Sequence, residues 1–344
     1  MLDDLKYVHQ RDSQDALGVV EKQWQQLVHS FEPRTESLEH GRFENVVFAG
    51  MGGSALGALI STSWPKCTVP FEVCRDYNLP NYVSDKTLFI ASSYSGNTEE
   101  TLSALAEAQK LGVKPVVITH GGKLGEIAKT NNYPTYHIPA TPQPRFSALY
   151  GLAAVVDILK KNGLAVDTKP KPKLAAAADF LHRSTSAWLP TVPKDQNPAK
   201  KLAMELAGKS PVIYGGPLMA PAAYKWKISF NENAKTVAWW GSFPEFSHNE
   251  FIGWTSHPVD KPYGVVDLRS SFEHERIQRR FTVTAKLLSG KRPAPHTVQA
   301  EGSNILEHLV WTIAFGDFVS IYLALLNGID PTPIELIERF KKEL

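Results

Sequence analysis

Short apolar runs alternate with stretches of helical spacing through the first half of this chain, and that alternation leaves few folds open. The runs are Val46-Val47-Phe48-Ala49, Phe71-Glu72-Val73-Cys74, Leu88-Phe89-Ile90-Ala91, Val116-Val117-Ile118-Thr119 and Tyr136-His137-Ile138. Their length and β-branched content suit buried strands, and most are separated by segments with helical apolar spacing. Strands that alternate with helices predict a parallel sheet covered by helices on both faces. The pattern restarts at Val212-Ile213-Tyr214, which runs into Gly215-Gly216-Pro217 and a helical stretch to about Phe230. Residues 237–240, 265–268 and 297–299 read as further strands, and 273–288, 303–327 and 333–344 as helices.

At 344 residues the chain has room for two domains, each large enough to bury a core. The reading is therefore α/β, with two such units in tandem. Residues 1–165 form the first, led by a helix over 11–30 that carries Ala16, Val19, Val20, Trp24 and Leu27. The polar, proline-interrupted stretch 166–173 opens a linker and crossing helix over 166–200, and residues 201–344 form the second unit.

Bulk properties exclude several classes. A net charge of +2, with both signs spread along the chain, leaves no basic block to argue for nucleic acid. Cys67 and Cys74 are too few for a disulfide framework and have no metal-binding spacing; they read as core residues in a reducing, cytoplasmic setting. The first residues lack the basic and apolar regions of a signal peptide. The longest apolar run, 309–326, is broken by Asp317 and reads as a buried core helix, not a membrane span.

Two turns carry the chemistry. Ser92-Ser93-Tyr94-Ser95-Gly96-Asn97-Thr98-Glu99-Glu100-Thr101 follows one strand and opens a helix. A helix start offers unpaired N–H groups and the positive end of the macrodipole, and short hydroxyls and a glycine add donors and close approach, all of which suits a phosphate. The same letters also fit an ordinary capped helix, with Asn97 as N-cap and Glu100 three residues on. The second turn, Gly50-Met51-Gly52-Gly53-Ser54-Ala55-Leu56-Gly57, tips the reading towards a ligand. Alone it would also fit a dinucleotide fingerprint, with Glu72 or Asp76 as the ribose acid, and hence a nicotinamide-dependent oxidoreductase. A second hydroxyl-rich turn in the same domain fits one small phosphorylated ligand better.

With Asn231-Glu232-Asn233-Ala234-Lys235 and Ser247-His248-Asn249-Glu250, these turns make the chain resemble the bifunctional phosphoglucose/phosphomannose isomerases, built from two sugar-isomerase (SIS) domains. The resemblance runs from about residue 40 to the C-terminus. It implies that Gly53 and Ser54 sit at the sugar, that Ser93, Ser95 and Thr98 grip its phosphate, and that Arg145 lies beside the reacting carbons. It implies Glu232 as the base moving a proton between C1 and C2, and His248 as an aid to ring opening, supplied across a homodimer interface. Lys341 matches a lysine at the ring-oxygen end, with Lys342 adjacent. No metal or redox cofactor is implied, and the substrate is a sugar phosphate.

The chemistry asks for these residue types independently. Isomerisation through an enediolate needs a carboxylate to take and return a proton, a fixed cation for the oxyanion, and a group near neutrality for ring opening. On their own, Glu232 reads as a solvated helix-end carboxylate, His248 as a loop histidine, Arg145 as part of a proline-rich turn and Lys341 as a solvated tail. Trp239-Trp240 reads as packing or interface. The rival from another class is a non-catalytic sugar-phosphate sensor of the same fold.

Overall fold

The computed structural model describes residues 1–33, 43–255 and 262–343, with Lys342 by its backbone alone. The chain divides into two compact units, one of residues Gln23–Asp179 and one of Met1–Lys22 together with Phe180–Leu344. On this division the leading segment groups with the second half of the chain.

Where the spacing predicts one helix over 11–30, the span holds two short ones, α2 (Ala16–Glu21) and α3 (Trp24–Leu27), parted at Lys22-Gln23 and preceded by α1 (Leu5–Arg11). The start at Ala16 is set by Asp12-Ser13-Gln14-Asp15. The Asp12 carboxylate accepts from the N–H groups of Ala16 and Leu17, at 2.7 and 2.9 Å, and Asp15 adopts a left-handed φ of 52°. Side chains that bond the local backbone compete with continued helix and reset it as a cap.

The first unit holds a five-stranded sheet of β1 (Asn45–Ala49), β2 (Phe71–Cys74), β3 (Thr87–Ser93), β4 (Val116–Thr119) and β5 (Thr135–His137), in the order β2-β1-β3-β4-β5. Every pairing is parallel. Side chains alternate across the pleat. Val46, Phe48, Leu88 and Ile90 meet α7 (Ala148–Lys161) and Ala58 of α4 (Gly52–Ser63) on one face. Val47, Ala49, Phe89 and Ala91 meet α5 (Glu99–Lys110) and α6 (Gly122–Thr130) on the other. Cys74 is buried and Cys67 half-buried, both as free thiols whose pKa burial pushes up.

Part of the stretch read as linker is helical: α8 (Pro170–Thr185) starts at Pro170, a residue that suits the first turn because its missing N–H has no partner to lose there. Then α9 (Pro198–Leu206) opens under the Asn197 side chain, which accepts from Ala199 and Lys200.

The second unit carries four parallel strands, β6 (Ser210–Gly215), β7 (Trp239–Ser242), β8 (Tyr263–Arg269) and β9 (His296–Gln299), ordered β7-β6-β8-β9. One face packs Val212, Tyr214 and Val265 against Ile277 and Phe281 of α12 (Glu275–Leu287). The helix α10 (Ala220–Glu232) lies on β6 and β7, and α13 (Ile305–Leu326) lies against α10 and α9. α13 is buried from Leu306 to Leu325, which makes it the core helix its composition predicts despite a mean hydropathy of 1.9. The leading segment seals its C-terminal end. Tyr7 Oη donates to Leu325 O at 2.7 Å, Arg11 Nη1 donates to Gly328 O at 2.8 Å, and α2 buries Ala16, Leu17 and Val20 alongside. Two short elements complete the unit, α11 (Glu250–Gly253) and α14 (Glu335–Glu343).

Candidate active site

Both hydroxyl-rich turns lie where sequence places them, at the carboxyl ends of adjacent parallel strands β1 and β3. The turn after β3 is built around Ser93 and Gly96. Ser93 Oγ lies 2.8 Å from Thr98 Oγ1 and accepts from the Gly96 N–H at 3.0 Å. Gly96 has a φ of +71°, and a Cβ there would come within 1.8 Å of the Gly121 carbonyl, so the turn can close only on glycine. Thr98, not Asn97, is the N-cap of α5, and its side chain gives no cap bond. The Asn97 side chain instead accepts from the Lys123 N–H at 3.1 Å. The first turn of α5 is thus left without a side-chain cap, beside the hydroxyls of Ser93, Ser95 and Thr98.

The turn after β1 leads into α4, which also starts without a side-chain cap. Ser54 Oγ accepts from the Tyr94 N–H at 2.9 Å, tying the two turns together. Gly53 packs flat on the chain at Pro144–Arg145: a Cβ would sit 2.8 Å from Pro144 C and 2.9 Å from Arg145 N. So Gly53 and Arg145, far apart in sequence, are neighbours. Arg145 is 1% exposed, in a 3-10 turn, with its guanidinium carbon 4.8 Å from the centre of the Phe146 ring. The proline-rich turn buries it, where the bland reading left it solvated.

In the second unit Glu232 is the last residue of α10 and is half-buried. Its neighbours in the motif are structural ties. Asn231 Oδ1 accepts from the Ala238 N–H at 2.9 Å, buried Asn233 donates to Ser320 Oγ at 2.9 Å, and Lys235 Nζ donates to the Asp330 and Pro331 carbonyls at 2.8 and 3.1 Å. Beneath them Lys225 and Asp317 form a fully buried ion pair, joined by Ser229, whose hydroxyl donates to Asp317 at 2.7 Å. Lys225, Ser229 and Asn233 are spaced by four along α10, so one stripe of that helix is locked to α13.

Solved structures share the fold. A glucose-6-phosphate isomerase-like protein from Thermus thermophilus superposes with a TM-score of 0.67 over 99% of this chain and 98% of that one, at 20% identity. A SIS domain model matches residues 44–157, and a model described as the bacterial phospho-glucose isomerase C-terminal SIS domain matches residues 195–344. A bifunctional phosphoglucose/phosphomannose isomerase from Caldicellulosiruptor bescii is 37% identical over 88% of this chain and 89% of its own length. The chain belongs to that family. A more partial relative, a D-glucosamine-6-phosphate 4-epimerase from Sulfolobus acidocaldarius, is 34% identical over 60% of this chain and 63% of its own length.

Within this phosphoglucose/phosphomannose isomerase framework, the remaining predicted residues lie on separate elements of the second unit. His248 ends a 3-10 turn and is exposed, while Lys341 is exposed on α14. Trp239 and Trp240 lie on the edge strand β7 at 50% and 39% exposure, so neither is a core residue. Sequence reasoning missed the Lys225–Asp317 pair. A lysine four residues before Ser229 carries no signal until the opposing helix is known.

Proposed function

We propose that this chain interconverts glucose 6-phosphate and fructose 6-phosphate, and mannose 6-phosphate and fructose 6-phosphate, by proton transfer through an enediolate. What carries the reading is likeness over nearly the whole length to a relative bearing that name, and the paired hydroxyl turns at two uncapped helix starts fit a sugar phosphate. In this reading Ser93, Ser95 and Thr98 bind the phosphate, with Gly53 and Ser54 at the sugar. Glu232 removes the proton from C2 of the aldose, the electron pair moves to the carbonyl oxygen to give the enediolate, the C2 hydroxyl proton passes to O1, and the same carboxyl returns the proton to C1 as the C2 carbonyl forms. Arg145, charged at any working pH, stabilises the oxyanion. His248 and Lys341 assist ring opening. The active form is a homodimer in the cytoplasm, with His248 given across the interface.

The test is a coupled assay offering fructose 6-phosphate to the purified protein without added cofactor or metal. The expected result is both glucose 6-phosphate and mannose 6-phosphate. Glucose 6-phosphate alone removes the mannose activity, and a product altered at C4 would place the chain with the epimerase. Binding without turnover would make it a sensor. Sedimentation of the same sample reports the dimer.

A further inference from the structure

Tyr214 is fully buried at the heart of β6, yet its hydroxyl reaches one surface residue. The phenol donates to the carboxylate of Glu250, an exposed residue, and accepts from Trp254 Nε1–H at 3.3 Å. Its ring packs edge-on against Phe246, with centroids 4.8 Å apart. Phe246 and Glu250 stand two residues before and two residues after His248. One side chain therefore pins both ends of the short span that presents the histidine.

The surroundings are built to let it do so. Gly241 pairs directly with Tyr214 across the β6–β7 ladder, and a Cβ there would lie 3.0 Å from the Tyr214 ring and 3.3 Å from Glu250 Oε2. The bare backbone at that point leaves the path from phenol to carboxylate open. On the far side the Arg292 guanidinium lies 5.7 Å from the Tyr214 ring centre and 5.9 Å from that of Phe246. Arg292 is buried, its side-chain nitrogens make no hydrogen bond among the described residues, and the Asp267 carboxylate stands 3.7 Å away. A cation on the aromatic faces holds both rings in place. Burial, and then the negative charge of Glu250, push the Tyr214 pKa well above its ordinary value, so the phenol keeps its proton as the donor.

We propose that Tyr214 is a positioning residue for His248, acting through Glu250. The proposal rests on the reading that His248 serves the isomerisation. A histidine at the end of a short turn that is held on both sides samples fewer orientations, and more of the bound complexes are then competent to react.

The experiment compares Tyr214→Phe, His248→Gln and the double variant on fructose 6-phosphate. Tyr214→Phe keeps the ring on Phe246 and removes only the hydroxyl. Its kcat is expected to fall about tenfold with KM changed less than about twofold, and in the His248→Gln background the same change should add nothing. Glu250→Ala, at a surface position where folding is not at stake, should reproduce the loss, and Glu250→Gln should restore most of it. A Tyr214→Phe loss that is undiminished in the His248→Gln background, or absent altogether, overturns the positioning role while leaving His248 in its place. Normal turnover by His248→Gln overturns the role of His248 itself, and the proposal with it.

Discussion

Each unit has two strand-to-helix turns side by side, and the two pairs are filled differently. In the first unit the turns after β1 and β3 are joined by a hydroxyl, Ser54 to the Tyr94 N–H, and the helix starts carry no side-chain cap. In the second unit the turn after β8 carries Glu273, whose carboxylate reaches back to accept from the Leu218 and Met219 N–H groups at 2.9 and 3.1 Å, at the turn before α10. A Cβ on Gly216 would meet that carboxylate at 2.4 Å. The helix starts of the first unit are thus left free of any capping carboxylate, while the start of α10 is met by the protein's own anion. The interiors differ in the same sense. Among the described residues the first unit buries polar groups but only one charged side chain, Arg145, whereas the second buries Lys225 with Asp317, Arg292 with Asp267, and His308 with Ser270. The proposed phosphate site is built from turn geometry in one unit, and the proposed base and histidine are held by buried polar ties in the other.

Four changes would break or sharpen that contrast. Glu232→Gln should lower turnover by about a thousandfold or more while leaving fructose 6-phosphate affinity within about threefold, because general acid–base removal costs chemistry and not phosphate binding. Coupled kinetics and calorimetric titration read the two halves, and near-normal turnover would remove Glu232 as the base. Next, Asp317→Leu should destabilise the protein by about 3–5 kcal/mol in guanidinium melts, since it strands a buried ammonium, and adding Lys225→Met should recover most of that loss. If the double variant stays as weak as the single one, the pair is not the unit of stability. Gly96→Ala forces a left-handed alanine into the Gly121 carbonyl, and should weaken fructose 6-phosphate binding about tenfold or more. Unchanged binding would mean that this turn is not the cradle.

The smallest effect is a pH dependence belonging to the second unit. Burial pushes the Asp267 carboxyl up to about 6, against the opposing pull of Arg292. A raised carboxyl holds its proton more tightly in the folded state, so its contribution is complete below about pH 4 and is lost as the pH rises through about 6. Between about pH 5 and pH 7 this amounts to about 1 kcal/mol. Denaturant melts of the wild type and Asp267→Asn should differ in slope over that range, and parallel curves would refute it.

The strands and both hydroxyl turns were legible because their signals are local: β-branched runs, and glycine and serine at fixed offsets from them. The helix over 11–30 misled because its apolar spacing is genuine, while Asp12 bonding the backbone ahead of it delays the start to Ala16 and the chain breaks again at Lys22-Gln23. Pro170 read as a breaker because a proline at a helix start and one in a linker look alike in sequence. Glu232, Arg145 and His248 were proposed from motif, not from physics. What holds them was invisible: the burial of Arg145 against Phe146, the asparagines beside Glu232, and Tyr214 beneath His248. Each depends on contacts with residues distant in sequence, which no spacing encodes.

The leading segment, finally, sets the order in which a growing chain can mature. Residues up to Lys22 are made before residues 23–179, and their partners at Leu325 and Gly328 after them. Residues Gln23–Asp179 are continuous and can close their sheet while synthesis goes on. Throughout that interval the apolar side of α2, with Ala16, Leu17 and Val20, has nothing of its own unit to cover it. A nascent chain would therefore carry a closed sheet joined to a segment whose own contacts wait for residues made far later.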